Sequence, residues 1–380
     1  MAGCEVVVAP RVPVLKPRLP SAEALLPYLQ RIDATRVYAN QGPLVTELEE
    51  LLARRFGVPA GGFVTAASGT AALAGAILAT AGWADAQRPL AIVPGFTFVA
   101  TAIAVRQCGY IPFFVDVDPE RWTLDPAALG RIDMERVGVV VPVAPLGRPL
   151  AQAPWQTFSD ATGIPVVIDA AAAFDYLEAD PGPLVGTLPV AISLHATKAF
   201  STGEGGGVIT TDLTLAARIT QVLNFGFSGS RSSETPSING KMSEYHAAVG
   251  LAESEVWPQK RSEFDGLAAT YRAAMCRRGI GDKLLAWPDI SRCYVLVRTA
   301  DIGQRNAVRD ALADAGIETR SWYGSGVHTQ PQFATSERGV MDVTEGLATT
   351  LLALPVAPDL AEATVEQIVA IVDAVIRGRP

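Results

Sequence analysis

The chain has 380 residues, 49% hydrophobic and 18% charged, enough for a large globular domain plus a smaller one and too apolar for a disordered chain. Its 31 basic and 39 acidic residues give a formal charge of -8 with no basic run, which argues against nucleic acid or an anionic membrane as partner, so any phosphate needs a local site. Cys4, Cys108, Cys276 and Cys293 are scattered, as are His195, His246 and His328, which speaks for reduced thiols and against a disulfide framework or a metal cluster.

In chain order, "MAGCEVVVAPRVPVLKPRLPS" places Glu5 and several prolines where a signal peptide needs a clean apolar core. The longest apolar run, "TAALAGAILATAGWA", is short for a membrane span, so a cytoplasmic protein is expected. "VTELEELLARRFG" reads as an amphipathic helix closed by Gly57. From about residue 60 the order is "GGFVTAA", helix, "LAIVPG", helix, "YIPFFVDVD", "VGVVVPVAP", helix, "IPVVIDA", "PVAISLH", "GGVITTD". Apolar runs without polar alternation fit strands covered on both faces. The expected fold is α/β, a mostly parallel sheet sandwiched by helices, with ligands at the carboxyl ends of the strands.

After Asp212 come a helix, "LTLAARITQVLNFG", a Ser-rich polar loop, "SGSRSSETPSING", and a helix from about Ser243 through "EYHAAVGLAESEVW". From about Pro258, helices such as "RNAVRDALADAG" and "TVEQIVAIVDAVIRG" alternate with short strands such as "RCYVLVRT". This divides the chain into a large domain over 1–255, N-terminal segment included, and a small C-terminal α/β domain over 256–380. No internal repeat or low-complexity segment interrupts it.

Three features carry chemistry. Asp169 ends the buried run "PVVID", where it either reaches the ligand edge of the sheet or caps a helix begun by "AAAAF". Lys198, in "SLHATKAFSTGEGGG", follows the next apolar run, where a charge between buried strands needs a partner or a ligand. Ser68, Gly69 and Thr70 open the Ala-rich helix of "TAASGTAALAGAILA", as an anion site or as plain caps. A phosphate site, a carboxylate for a ring nitrogen and a lysine together describe pyridoxal 5'-phosphate (PLP), with Lys198 as Schiff base, Asp169 on the pyridinium nitrogen and the helix terminus under the phosphate. "TGEGGG" fails as a dinucleotide fingerprint at Val208, and "NGKMS" lacks the upstream glycine of a Walker motif. Gly205 to Gly207 are expected to turn the chain back into "GVITTD".

In these segments the sequence resembles the DegT/DnrJ/EryC1/StrS sugar aminotransferases, which are fold type I PLP-dependent transferases. "NQGPLVTELEELLARRFGV" looks like the family's opening helix, "SGTAAL" its phosphate loop and "VPGFTFVATAIAV" its ring-stacking segment. "FFVDVDPERWTLDP", "VVIDAAAAF", "SLHATKAFSTGEGGGVITTD", "INGKMSEYHAAVGLAE", "GVHTQPQF" and "LLALPVAPDL" follow in the family's order over nearly the whole chain. The resemblance implies Lys198 as cofactor lysine and general base, Asp169 on N1, Phe98 stacked on the ring, and Gly69, Thr70 and Ser193 on the phosphate. It implies a homodimer in which Asn239 reaches the phosphate of the partner subunit, and places His195, Lys241 and His328 near the substrate. Two departures stand out: Ala172 where the family often has glutamine, and "NGKM" where it usually has "NYRM".

The implied reaction moves an amino group from an amino acid, L-glutamate by resemblance, to a keto sugar carried on a nucleotide diphosphate. A cyclitol ketone as acceptor uses the same core. A PLP-dependent sugar dehydratase would carry histidine in place of Lys198, and a non-catalytic PLP-binding regulator would not need the intact lysine, aspartate and phosphate loop.

Overall fold

The computed structural model describes residues 12–378; the segment holding Cys4 and Glu5 lies outside them. They fall into two compact units, 19–259 with 323–346, and 12–18 with 260–322 and 347–378. A single cut at 255/256 was expected. Instead the chain leaves the large unit at 259 and returns to it for 323–346.

The large unit runs through α1 (Ala22–Thr35), α2 (Pro43–Arg55), β1 (Phe63–Ala66), α3 (Gly69–Ala81), β2 (Leu90–Pro94), α4 (Val99–Gln107), β3 (Ile111–Val115) and β4 (Val137–Val140). It continues with α5 (Ala153–Thr162), β5 (Ile168–Asp169), α6 (Phe174–Ala179), β6 (Val190–Ser193), β7 (Gly206–Ile209), α7 (Leu213–Leu223) and the start of α8 (Glu244–Arg277). Strands β3, β2 and β4 pair in parallel, as do β5 and β6, while β7 runs antiparallel between β6 and β1. Parallel bridges Val140 to Val166 and Val143 to Asp169 join the two groups, giving the order β3-β2-β4-β5-β6-β7-β1 with only β7 reversed. The expected mostly parallel sheet is therefore present.

Burial explains the sequence pattern. β2 and β4 are buried at every residue, so neither face needs polar side chains. α3 is buried from Ala72 to Ala79 and is correspondingly apolar all round, ending at Gly82 with φ 75°. Segment 323–346 protects the β3 edge: Phe114 N–H donates to Glu337 O at 3.0 Å, and Gly339 N–H to Phe114 O at 2.9 Å.

Two carboxylates fasten α2. Glu244 is buried, and its oxygens accept the Leu44 and Val45 N–H groups at 2.9 Å each, capping the helix. Glu49 accepts both the N–H and the hydroxyl of Thr65 at 2.8 Å, and burial pushes its carboxyl above the usual range against the pull of those bonds.

The second unit holds β8 (Leu284–Leu285), β9 (Leu296–Arg298), α9 (Ile302–Asp314), the end of α10 (Asp342–Thr350), β10 (Leu351–Ala353) and α11 (Glu362–Ile376). Its strands pair antiparallel in the order β10-β9-β8, and α9 packs on α11. The expected helix ending near Trp257 instead continues to Arg277 as α8, through Pro258. A proline forfeits one helical hydrogen bond. Here the preceding Trp257 is fully buried and donates to Glu178 Oε1 at 2.8 Å, which anchors the turn.

Among the described residues no helix is long and apolar enough to cross a membrane, and Cys108, Cys276 and Cys293 form no disulfide.

Candidate active site

Asp169 is the last residue of β5, 7% exposed at the carboxyl edge of the sheet. Its Oδ2 accepts the Thr101 hydroxyl at 2.7 Å and its Oδ1 accepts the Ala171 N–H at 3.0 Å. Burial pushes this carboxyl above its usual range, while the bonds from Thr101 and Ala171 and the charge of Lys198 pull it back. The helix-cap alternative is not realised, since α6 starts at Phe174 with Ala173 in the capping position. Ala172 is buried beside it.

Lys198 is half-buried in the loop between β6 and β7. That loop is closed by backbone bonds from Leu194 N to Gly205 O at 2.9 Å, Ala196 N to Gly203 O at 2.7 Å and Lys198 N to His195 O at 2.8 Å. His195 organises it: Nδ1 accepts the Thr197 N–H at 3.3 Å and lies 2.9 Å from the Thr197 hydroxyl, while Nε2 lies 3.5 Å from Glu204 Oε1. The turn residue is Gly203, at φ 83°, and not Gly205 to Gly207 as expected. Those three are required by close approach instead, because a Cβ on Gly205 would meet Thr202 Oγ1 at 2.1 Å, on Gly206 Ser68 O at 2.6 Å and on Gly207 the Phe63 ring at 2.3 Å.

Ser68 caps α3, its Oγ accepting the Ala71 N–H at 3.1 Å. Gly69 and Thr70 form the first turn, half-buried, against the end of β6; a Cβ on Gly69 would lie 2.7 Å from the Ser193 Cβ. Backbone N–H groups, two hydroxyls and the positive end of α3 thus converge in a cradle that a larger side chain would fill.

Phe98 precedes α4 with 52% of its surface exposed, and Thr101 N–H donates back to its carbonyl at 3.2 Å, so ring and aspartate partner share one helical turn. Asn239 is exposed beside the same cradle, because Ala67 N–H donates to Gly240 O at 2.7 Å. Lys241 Nζ donates to Asn239 Oδ1 at 2.9 Å and sits 4.0 Å from the Phe225 ring centroid, and burial holds its ammonium below the usual lysine range. An ammonium can only donate, so the amide oxygen must face it and the Asn239 NH2 is turned elsewhere. His328 is buried behind the β2–α4 turn, where Val327 N–H donates to Gly95 O at 3.0 Å; its Nε2 lies 3.3 Å from Glu345 Oε1 and its Nδ1 has no hydrogen-bond partner.

Sequence reasoning missed Thr101, Thr97 and Tyr323. Thr97 Oγ1 lies 2.7 Å from Thr101 Oγ1. The Tyr323 hydroxyl accepts the Leu146 N–H at 2.8 Å, with its ring edge-on to Phe96 at 5.1 Å. A hydroxyl in "TFVAT" and a tyrosine from a distant segment carry no local signal that they meet this edge.

An amine, a buried carboxylate and an anion cradle meeting on one strand edge fit pyridoxal phosphate in the chemistry of all three groups. Fold and site together define a PLP-dependent aminotransferase. The sequence profile of the DegT/DnrJ/EryC1/StrS aminotransferase family matches residues 21–373, and the chain belongs to that family. It is 30% identical to Protein Rv3402c of Mycobacterium tuberculosis, covering 97% of this chain and 91% of that protein. It is likewise 30% identical to UDP-2-acetamido-2-deoxy-3-oxo-D-glucuronate aminotransferase of Pseudomonas aeruginosa, over 87% of this chain and 90% of that one. The crystal structure of DesI in the presence of its TDP-sugar product superposes with a TM-score of 0.85 at 31% identity, covering 99% of this chain and 96% of DesI.

Proposed function

We propose that this aminotransferase transfers an amino group from an amino acid, L-glutamate, to a keto sugar linked to a nucleotide diphosphate, as a cytoplasmic homodimer making amino sugars. The observation that carries the catalytic half is the meeting of Lys198, Asp169 and the Gly69–Ser193 cradle on one sheet edge. The acceptor class rests on the relatives: the Pseudomonas aeruginosa enzyme is named for a UDP-linked oxo sugar, and DesI was crystallised with a TDP-sugar product.

Pyridoxal phosphate supplies an aldehyde with which amines condense and a ring that takes up the electron pair left when the substrate's α-proton departs. In the proposed mechanism Gly69, Thr70, Ser193 and the α3 terminus would hold its phosphate, Phe98 would pack on its ring, and the Asp169 carboxylate would hold a proton at its ring nitrogen. Lys198 Nζ would hold the cofactor through its aldehyde carbon. As a free amine it would take the proton from the donor's α-carbon and return one to the carbon that accepts the amino group. His195 acts by fixing the loop that carries Lys198, Lys241 flanks the substrate side, and His328, buried behind the β2–α4 turn, supports that turn. Asn239 offers its NH2 to the phosphate held by the partner subunit.

The test is to convert purified enzyme to its pyridoxamine phosphate form with L-glutamate and then add UDP- or TDP-linked keto sugars, a keto cyclitol, or buffer. Return of the visible band with a nucleotide-linked sugar alone supports the reading. Return with the cyclitol alone rejects it.

A further inference from the structure

The Asp169 carboxylate is not held by charge alone. Two threonine hydroxyls on α4 and the turn before it form a buried chain to it: Thr97 Oγ1 lies 2.7 Å from Thr101 Oγ1, which lies 2.7 Å from Asp169 Oδ2. Thr97 and Thr101 are 2% and 1% exposed. A hydroxyl has one proton, and an ionised carboxylate can only accept. The Thr101 proton must therefore point at Asp169, and Thr97 must donate to Thr101, so the chain has one direction for as long as Asp169 is ionised. Were Asp169 protonated on Oδ2, that oxygen would become a donor, and the Thr101 hydroxyl would have to turn away and reverse the chain.

On this basis we infer that Thr101 is a positioning residue that keeps Asp169 ionised to hold the proton on the cofactor's ring nitrogen, with Thr97 fixing the direction of the Thr101 hydroxyl. The inference rests on the proposed role of Asp169. Around the carboxylate stand the Thr101 hydroxyl from α4, the Ala171 N–H from the end of its own strand, and the charge of Lys198 from the loop after β6. Removing the Thr101 donor leaves a more basic carboxylate that competes for the shared proton. That proton then moves from ring nitrogen to carboxyl oxygen, and the ring becomes a poorer store for electrons.

The experiment loads the holoenzyme with cofactor labelled with nitrogen-15 in the ring and follows the ring-nitrogen signal from pH 6 to pH 9. In Thr101→Val the ratio of protonated to neutral nitrogen should fall about tenfold, the order expected for one hydrogen bond to a charged group. Thr101→Ser should restore it, and Thr97→Val should move it in the same direction by less. Asp169→Asn is the control on the underlying reading. If Asp169→Asn abolishes ring protonation while both valine variants titrate like the parent, the inference about the threonines is wrong. If Asp169→Asn keeps the parent signal, it is the role of Asp169 that fails. Should Thr101→Val not fold, Thr97→Val decides, because it leaves the bond to Asp169 in place and removes only its orientation.

Discussion

At the residue scale, Lys198 and Asp169 make separable predictions. Lys198→Ala should lose both the visible absorption that borohydride removes in the parent and all transamination, and a variant with normal turnover would end the proposed mechanism. Asp169→Asn should cut turnover by several decades, each ~1.4 kcal/mol of lost transition-state stabilisation being about tenfold. It should not destabilise the fold at neutral pH. The Asp169 carboxyl is raised in the folded chain, so its charged form costs stability above that raised range, and a neutral amide relieves the cost while the Thr101 hydroxyl rotates to accept. Glu49 gives the same sign without touching the site. Its raised carboxyl favours folding fully below the unfolded value near 4.5 and loses that contribution as pH climbs through the raised one. Glu49→Gln, whose amide oxygen can still accept from Thr65, should therefore flatten that part of the stability profile measured by urea unfolding. A profile that keeps its slope would assign the slope to other groups.

At the element scale, the α3 terminus and the α2 cap are the sensitive joints. In Gly69→Ala the gain in helix propensity, at most about 1 kcal/mol, opposes a methyl placed 2.7 Å from Ser193 Cβ and 3.1 Å from its Cα. Overpacking against backbone costs roughly 1–3 kcal/mol, so the clash wins, and cofactor affinity measured by titrating apoenzyme should drop at least about tenfold. Glu244→Ala removes two hydrogen bonds to a buried carboxylate and should cost about 3 kcal/mol in chemical unfolding with cofactor chemistry unchanged in the folded fraction. Such joints also mark where the sequence could and could not be read. The places of Asp169, at the end of β5, and of Lys198, in the loop after β6, were legible because unbroken apolar runs announce buried strands, and whatever follows them stands on the ligand edge. The cap that Glu244 places on α2 was not, because it links residues some two hundred positions apart. Helix α6 escaped notice as a segment of six residues and α1 because Pro27 stands inside it, and Pro258 mimicked a boundary that burial of Trp257 overrides. Composition likewise cannot tell a glycine needed for positive φ, Gly203, from Gly206 and Gly207, needed for contact.

At the scale of the whole molecule, the proposed dimer makes a complementation test possible. If Asn239 serves the partner's cofactor, mixing inactive Lys198→Ala chains with impaired Asn239→Asp chains yields hybrids with one site carrying both lesions and one carrying neither, and activity returns on subunit exchange. The bond from Ala67 N–H to Gly240 O keeps Asn239 beside the cradle of its own chain as well, so silence from confirmed hybrids would assign it there.

The return of 323–346 to the large unit bears on how the protein is made. A nascent chain emerges in order, and the partner that covers β3 emerges only after most of the second unit has been synthesised. Until then β3 offers an unpaired row of N–H and C=O groups on a largely apolar strand, the arrangement that recruits another chain. Ribosome-bound or truncated chains ending at 322 should therefore sediment as aggregates or be captured by chaperones, and chains extended past 346 should escape both. Equal behaviour of the two sets in a pulse-labelled translation would show that the open edge is guarded by something other than this segment.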